Sequence, residues 1–306
     1  MMKNKIILLF CIGFSCSDIN HEQQAKLKKI EAQKENITVI EMKYFAKKSK
    51  QDYENFRKDL IKIKNSIFLH NPSVVFFQLN FRKDFGEGEK FAKELNEPTP
   101  TISILLLKTE RSTENLDNYE DENFPHTIKG KIKNTDSADY FKYNGLLFPF
   151  PDMIKKSKAI CACMFYENLN GEIEGIYPYH EYNNFLFEDC STTIANEFLT
   201  QYDFKIEFNE NKEKYALYSI TTPEPLFLKY INIIEKKSDK FIPMINKQFR
   251  TFNESDLLKN NLRIEPGGIF IVNSSIGTFR TKNKQIFTGG QVIAAHVYTL
   301  LDKLSK

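Results

Sequence analysis

The sequence predicts an α+β protein, in which an N-terminal β-α-β-α-β unit is followed by antiparallel hairpins with packed helices. Residues 37–107 alternate between continuous apolar runs and a segment whose apolar residues have helical spacing. Residues 159–220 contain two pairs of short β-rich segments, each joined by a polar turn. A length of 306 residues allows one large domain or two small ones.

The first residues have the features of an export signal. Two lysines precede a short apolar run, Ile6–Phe14, and Gly13 and Ser15 place small residues at the −3 and −1 positions relative to Cys16. The apolar run is too short to cross a bilayer. We therefore predict a signal peptide over residues 1–15, whose removal leaves Cys16 as the first residue.

This leader resembles that of bacterial lipoproteins, in which the cysteine after the cleavage site receives lipid. The resemblance covers the leader only, and Gly13 stands where these proteins usually carry leucine. It implies that Cys16 is the lipidation site and that palmitate or a related acyl chain attaches the protein to the membrane of the cell envelope. Cys11 is the alternative acceptor. An unlipidated exported protein and a cytosolic protein with an apolar first strand are the alternative interpretations.

The leader is followed by a polar segment and then by the first folded unit. Residues 16–35 contain few apolar side chains and are predicted to be a polar tether, either a solvated helix or a flexible stalk. The α/β unit covers residues 36–107, and its near-continuous apolar runs are typical of parallel strands buried on both faces. Its predicted elements are a strand at 37–45, a helix at 51–69, a strand at 74–81, a helix at 87–95 and a strand at 101–107.

Residues 108–150 lack clear periodicity and are predicted to be an irregular segment or a functional loop. We place any domain boundary there. Residues 151–306 then form an α+β domain, which is either separate from residues 36–107 or continuous with them.

The α+β domain is predicted from alternating patterns, turn residues and helical spacing. Its expected elements are a hairpin of 159–167 with 172–177, a helix at 191–202, a hairpin of 204–208 with 215–220, a helix from Pro223 to Lys237, a strand at 268–272, two short strands around Phe279 and Phe287, and a helix at 291–304.

The charge balance excludes some classes of function. Lys and Arg number 43 against 40 Asp and Glu, which gives a formal net charge of +3. A chain this close to neutral gives no electrostatic case for binding nucleic acid. The sequence also lacks the apolar runs of about 20 residues that a multi-span membrane protein needs.

Three cysteines remain after the leader: Cys161, Cys163 and Cys190. In an oxidising compartment, a disulfide from Cys161 or Cys163 to Cys190 is one expectation, and three buried thiols that pack as small apolar side chains are the other. A zinc site that includes His180 is disfavoured because the spacing does not match structural zinc sites. A nucleophilic Cys190 is also disfavoured, since its acidic neighbours oppose thiolate formation.

Two further segments are candidates for binding. Thr288, Gly289 and Gly290 precede the last predicted helix, where backbone N–H groups form an anion site or, alternatively, a simple turn with Thr288 as the N-cap. Aromatic residues surround a histidine in a second strip, which is either an exposed recognition surface or a strand end packed on the core. The residues of this strip are Tyr177, Tyr179, His180 and Tyr182.

The chain contains none of the common hydrolase, metalloprotease or nucleotide-binding motifs. We therefore predict a non-enzymatic, lipid-anchored protein of the cell envelope that binds a partner, such as another protein, and we assign no catalytic residue, metal or cofactor. One alternative is an exported hydrolase with a site near residues 177–190, which requires a cleft lined by His180 and acidic residues. Another alternative is a carrier that holds a small ligand in a large apolar cavity.

Overall fold

A computed structural model of the chain describes residues 19–42, 49–79, 81, 87–99, 101–108, 128–134, 140–232, 242–243, 245–259, 264–274, 278–281 and 283–304. Its helices are α1 (His21–Gln33), α2 (Lys50–Phe68), α3 (Gly88–Asn96), α4 (Pro151–Lys156), α5 (Cys190–Thr200), α6 (Glu254–Leu258) and α7 (Gly289–Asp302).

The strands are β1 (Ile37–Met42), β2 (Val74–Gln78), β3 (Ile102–Lys108), β4 (Gly130–Ile132), β5 (Gly145–Leu147), β6 (Ala159–Ala162), β7 (Tyr166–Glu167), β8 (Glu172–Ile176), β9 (Tyr179–Tyr182), β10 (Phe185–Glu188), β11 (Phe204–Asn209), β12 (Lys214–Ser219), β13 (Leu226–Ile231), β14 (Ile242–Pro243), β15 (Arg250–Asn253), β16 (Ile269–Ser274), β17 (Thr278–Thr281) and β18 (Ile286–Thr288). The α+β class predicted from the sequence is confirmed.

Seven of the described strands form a central sheet. Strands β15, β1, β16, β2 and β3 lie side by side in that order, all parallel. Strand β3 also pairs in parallel with β6 and in antiparallel orientation with β5. The predicted strands of residues 37–107 are therefore present and parallel. They share one sheet with strands from residues 145–274.

The continuous apolar runs of the central strands follow from burial on both faces of the sheet. Phe76 and Phe77 are neighbours on β2 and point to opposite sides, and both are fully buried. The face with Phe77 packs against α2, α3, α4 and α6. The face with Phe76 packs against α1, α5 and α7. Helices thus cover both faces of the sheet.

Three smaller sheets lie outside the central one. They have the strand orders β4-β10-β9, β11-β12-β13 and β14-β8-β17-β18, with β7 paired to β8. The predicted turn at Asn168–Gly171 joins β7 to β8, and the predicted hairpin of 204–208 with 215–220 is formed by β11 and β12. The predicted first strand of the earlier hairpin is divided, because Ala159–Ala162 is buried and pairs with β3.

The helix predicted from Pro223 to Lys237 is wrong within the described residues. Leu226–Ile231 is strand β13, which pairs with β12 in antiparallel orientation. Leu228 and Ile231 are buried by this pairing, whereas Leu226, Phe227 and Tyr230 are exposed. The apolar spacing that resembled one face of a helix therefore comes from an apolar strand at a sheet edge.

Of the two forms predicted for the polar tether at residues 16–35, the described part is a helix, but this helix packs on the body of the protein. From His21 onward this segment is helix α1, and Leu27 and Ile30 are buried in the main core. Lys34 is buried and forms ion pairs with Glu31 and Asp302. Two apolar residues thus suffice to attach a mostly polar helix to the folded body.

The segment predicted to be irregular, 108–150, lies largely outside the described residues. Its described parts contain β4 and β5, which are three residues long. A strand of three residues is too short to produce a recognisable alternating pattern.

Candidate functional site

A polar cavity of about 290 Å³ lies where α5 meets strands β4, β9, β10 and β11. We call it the Glu188 cavity. Glu188 and Tyr179 line it from the paired ends of β10 and β9, and Lys129 and Lys131 line it from the start of β4. The other lining residues are Gly130, Thr193, Asn196, Glu197, Thr200, Lys205, Glu207 and Ile220.

Local sequence places Glu188 at this position. Leu186 is buried in the main core, and alternation along β10 directs Glu188 to the same face of the strand. The next residue, Asp189, caps α5 by accepting a hydrogen bond from the backbone N–H of Ser191 at 2.7 Å. Strand and helix therefore join without a loop, which brings Thr193 beside Glu188.

Glycine at position 130 lets β4 approach β10 closely. A Cβ atom at Gly130 would lie 2.3 Å from the backbone oxygen of Leu186 and 2.4 Å from the Phe185 ring. Such distances are far shorter than normal contacts, so a larger residue would push β4 away from the cavity wall.

The Glu188 carboxyl group has an unusual environment. Burial raises its pKa from the ordinary value of 4.5 to about 7, although a hydrogen bond from Thr193 and the charges of Lys129 and Lys205 act to lower it. The Thr193 hydroxyl donates to Oε2 of Glu188 at 2.6 Å. A carboxyl group with this pKa changes its protonation state near neutral pH.

Most other charges of the cavity are neutralised by ion pairs. Lys131 pairs with Glu210 at 2.5 Å, and its ammonium nitrogen lies 4.6 Å from the centre of the Tyr179 ring. Lys205 pairs with Glu207 at 3.4 Å. Glu197 pairs with Lys158 at 2.5 Å.

Glu188 and Lys129 differ from these residues. In the part of the chain that the structure describes, neither side chain has an ion-pair partner within 4.0 Å. Their backbones are hydrogen-bonded, since the N–H of Glu188 donates to the carbonyl oxygen of Lys129 at 2.9 Å. Glu188 accepts a hydrogen bond from Thr193, and Lys129 acts on it only over a longer distance, so in the described part of the chain neither charge is matched by an ion pair within 4.0 Å.

A second cavity, of about 230 Å³, adjoins the first and shares Lys131 and Glu207 with it. Glu210 lines this second cavity, and its buried Oε2 atom has no hydrogen-bond partner among the described residues. The polar surface therefore extends beyond the Glu188 cavity.

The aromatic strip is mostly inside the protein. Tyr179, His180 and Tyr182 are buried on β9, and Tyr177 is half-buried. Of the two expectations, the strand end packed on the core describes the three buried residues, and the exposed recognition surface does not. Tyr179 alone lines the Glu188 cavity.

His180 faces a buried acid instead of a cleft. Its Nε2 atom lies 3.6 Å from Oδ2 of Asp189, and both side chains are almost completely inaccessible. Burial raises the pKa of Asp189, whereas contact with His180 and hydrogen bonds from Ser191 lower it. His180 lines neither of the two cavities described above. The cleft lined by His180 that the hydrolase alternative requires is therefore not formed at His180, and the acidic residue Glu188 lines a separate cavity.

The three cysteines are buried free thiols. Burial raises the pKa of Cys161 and of Cys190 well above the ordinary value, so both thiols are protonated at neutral pH. Cys163 accepts a hydrogen bond from the Gln78 amide at 3.4 Å. This arrangement corresponds to thiols packed as small apolar side chains, and it contains no disulfide.

Thr288 is the N-cap of α7, and its hydroxyl accepts a hydrogen bond from the N–H of Gln291. Gly289 and Gly290 pack directly on the central sheet. A Cβ at Gly290 would lie 2.7 Å from Val39. This geometry accounts for both glycines by close packing, as in the simple-turn alternative.

Several expectations lie beyond these sites. The leader, Cys11 and Cys16 are outside the described residues. Within the described ranges, no cluster of three or more His, Cys, Asp or Glu side chains has the geometry to hold a metal ion. The helices of those same ranges include none that is long and apolar enough to cross a membrane.

The carrier alternative requires a large apolar cavity. A groove of about 490 Å³ lies between α2 and α3, and its volume exceeds those of the two polar cavities. It is lined mainly by charged residues, among them Arg57, Lys90 and Glu94. A groove of this kind does not suit an apolar ligand.

Except for Tyr179, the residues that line the Glu188 cavity were not predicted from the sequence. In the sequence, Glu188 is distinguished only as an acidic residue close to Cys190. Lys129 lies in the segment predicted to be irregular. One signal was available. An acidic residue that follows two apolar residues of a strand and immediately precedes a helix start is held close to the core.

Comparison of the chain with protein-family models, with curated protein sequences and with solved structures gave no significant match.

Proposed function

We propose that this protein is held by lipid in the bacterial cell envelope and binds a small polar ligand in the Glu188 cavity without converting it chemically. The ligand part rests on one observation: a cavity lined by a half-buried carboxyl group and a lysine that have no ion-pair partners among the described residues. A charged group beside a protein core costs free energy unless it is paired, so a cavity that keeps such groups without an ion-pair partner is a candidate binding site.

The proposed anchor is supported by the leader, with Cys16 as the acceptor of lipid. Metabolic labelling with a fatty-acid analogue tests it. We expect label on the native protein and on a Cys11→Ala variant, and none on Cys16→Ala. Label that persists on Cys16→Ala would show that the lipid is attached elsewhere.

The proposed binding is tested by thermal unfolding in the presence of neutral sugars, sugar acids, phosphate esters, polyamines and amino acids. A compound present at 100 times its Kd raises the stability by about 2.7 kcal/mol, which is a shift of several degrees. We expect at least one such compound. Glu188→Gln should abolish the shift, and the exposed control Glu224→Gln should retain it. If no compound acts through Glu188, the ligand part of the proposal is wrong.

A hydrolase is the second candidate, and the pKa of Glu188, about 7, favours it. A general acid–base group is most effective when its pKa lies near the working pH. The test is turnover of chromogenic esters, glycosides, phosphates and peptides by the native protein and by Glu188→Gln. Turnover that follows a pH profile with an inflection near 7 and disappears in the variant would replace the binding proposal.

A further inference from the structure

We propose that the ligand of the Glu188 cavity is a small zwitterion, such as a free α-amino acid, whose ammonium group contacts Glu188 and whose carboxylate contacts Lys129. This inference rests on the proposed function, since it specifies the class of ligand for the same cavity.

Most of the charged residues that line the cavity are already paired. Three of the charged residues that line the cavity, Lys131, Lys205 and Glu197, have ion-pair partners at 2.5, 3.4 and 2.5 Å, and Glu207 is the partner of Lys205. Among the described residues, this leaves one acid and one base, Glu188 and Lys129. A ligand with one positive and one negative group matches this pair, and a purely cationic or anionic ligand leaves one of the two unmatched.

Several neutral polar groups that line the cavity already form hydrogen bonds within the protein. The Asn196 amide donates to the carbonyl oxygen of Ile206 at 3.0 Å and accepts from the N–H of Ile206 at 2.8 Å. The Thr200 hydroxyl donates to the carbonyl oxygen of Asn196 at 2.8 Å. The Thr193 hydroxyl donates to Oε2 of Glu188. Few neutral groups remain to recognise a ligand rich in hydroxyls, so the charged pair dominates recognition.

The volume of the cavity limits the size of the ligand. A volume of about 290 Å³ is just below the range for ligand pockets, which begins at about 300 Å³, so the cavity suits a small ligand. The Glu188 and Lys129 backbones are directly hydrogen-bonded, so the two side chains start from neighbouring positions. A ligand whose two charges are a few bonds apart fits this spacing.

The charge of the ligand determines whether its affinity rises or falls with pH. An ammonium group binds the ionised form of Glu188, so ligand affinity should fall as the pH is lowered through 7. An anionic ligand would show the opposite sign, because ionised Glu188 repels it, and a neutral ligand would show little dependence. The groups that act on the pKa of Glu188 are the Thr193 hydroxyl on α5, the charges of Lys129 and of Lys205 on β11, and Asp189 next to it in the chain. The other titratable residues that line the same cavity are Lys131, Tyr179, Glu197 and Glu207.

The experiment is isothermal titration of the full-length protein with each of the common L-α-amino acids at pH 6, 7 and 8. Every amino acid that binds is compared with its N-acetyl and amide derivatives. We expect the derivatives to bind at least tenfold more weakly, because each lacks one of the two charges. We also expect weaker binding at pH 6 than at pH 8.

Two variants separate the contributions of the charged pair. Glu188→Gln should weaken amino-acid binding at least tenfold and remove its pH dependence. Lys129→Gln should weaken amino-acid binding while leaving the amide derivative almost unaffected, so that the preference for the free carboxylate disappears. The exposed control Lys212→Gln should behave like the native protein.

Other outcomes overturn the inference. If the derivatives bind as well as the parent amino acid, or if affinity rises at low pH, the ligand is not a zwitterion held by this pair. If amino acids fail and another compound acts through Glu188, the proposed function stands and the zwitterion does not. If no compound of any class acts through Glu188, both are wrong.

Discussion

At the scale of single residues, His296 on α7 shows how burial controls charge. The side chain is fully buried, and its Nδ1 atom lies 2.8 Å from the carbonyl oxygen of Val292. Burial lowers the pKa of His296 from 6.5 to about 4. The imidazole is therefore neutral in the folded protein at neutral pH.

A pH dependence of stability follows from this pKa. Between about pH 6.5 and 4 the unfolded chain binds a proton at His296 that the folded protein does not, so the free energy of unfolding falls as the pH is lowered through this window. We expect His296 to contribute a loss of about 3 kcal/mol across it. Urea unfolding at several pH values gives the slope of the free energy of unfolding against pH. The difference in this slope between the native protein and His296→Gln measures the contribution of His296.

The control for this prediction is His21→Gln, because His21 is exposed on α1. It should reproduce the native slope. Parallel slopes for His296→Gln and the native protein would contradict the assignment of a neutral, buried imidazole.

Single residues also mark the limit of what the sequence could predict. The helix predicted at 291–304 places His296 at the edge of its apolar stripe, and the side chain is buried there. The importance of Glu188 could not be predicted, because it depends on Lys129 and Thr193, which come from other strands and helices. The chemistry of such a site arises only when distant elements meet.

At the scale of elements, the start of α7 depends on two glycines that face different neighbours. A Cβ at Gly290 would lie 2.7 Å from Val39 and 3.1 Å from the Cβ of Asn273, both on rigid central strands. A Cβ at Gly289 would meet the end of the flexible Gln78 side chain at 2.9 Å. The two positions differ in how readily the neighbour can move.

Gly290→Ala and Gly289→Ala form a matched pair for this reason. Each substitution gains less than the roughly 1 kcal/mol of helix propensity found in a helix interior, because both residues lie in the first turn, and overpacking against β1 and β16 should cost Gly290→Ala about 1–3 kcal/mol. We therefore expect Gly290→Ala to have the lower free energy of unfolding in urea. Equal values for the two variants would mean that α7 is not seated closely on the sheet.

Helix α1 provides a second prediction at this scale. Ile30 is 1% exposed and belongs to the main core, although the helix is polar on most of its surface. Ile30→Ala should lower the free energy of unfolding by about 2–5 kcal/mol, as other large-to-small core substitutions do. The exposed neighbour Lys29→Ala should change it by no more than about 0.5 kcal/mol. If Ile30→Ala and Lys29→Ala both changed the free energy of unfolding by a similarly small amount, α1 would be a tether detached from the core.

Elements with strong local patterns were predicted well. Helix α2 and strands β1, β2 and β3 lie close to their predicted positions because their apolar residues repeat over several turns or pairs. The segment of β13 was wrongly predicted to be a helix. Its residues are apolar at nearly every position, and such a run fits both the helical period of 3.6 residues and the strand period of two. Only its pairing with β12 decides between them.

At the scale of the whole molecule, the central sheet joins distant parts of the chain. Strand β16 lies between β1 and β2, and β15 lies on the other side of β1. The order of strands in space therefore differs from their order in the sequence. Local patterns predict that strands exist, but they carry no information about which distant strand fills the gap between two neighbours.

This topology predicts that residues 19–158 do not fold alone. Without β16, the facing edges of β1 and β2 have no partner between them, and α7 is missing from one face of the sheet. We expect this fragment to show little secondary structure by circular dichroism and rapid proteolysis. The control, residues 19–306, should unfold in urea in one transition seen at the same midpoint by fluorescence and circular dichroism. A stable, protease-resistant fragment would establish two independent domains.

The attachment of α1 sets how far the protein can reach from a membrane. If Cys16 carries lipid, only three residues lie between it and Asn20, the N-cap of a helix that packs on the core, which makes four steps along the chain. An extended chain of that length covers at most about 14 Å. The folded body would then lie close to the lipid headgroups, because no long flexible linker separates it from the anchor. Any molecule that it captures would be met in the thin layer of fluid next to the bilayer.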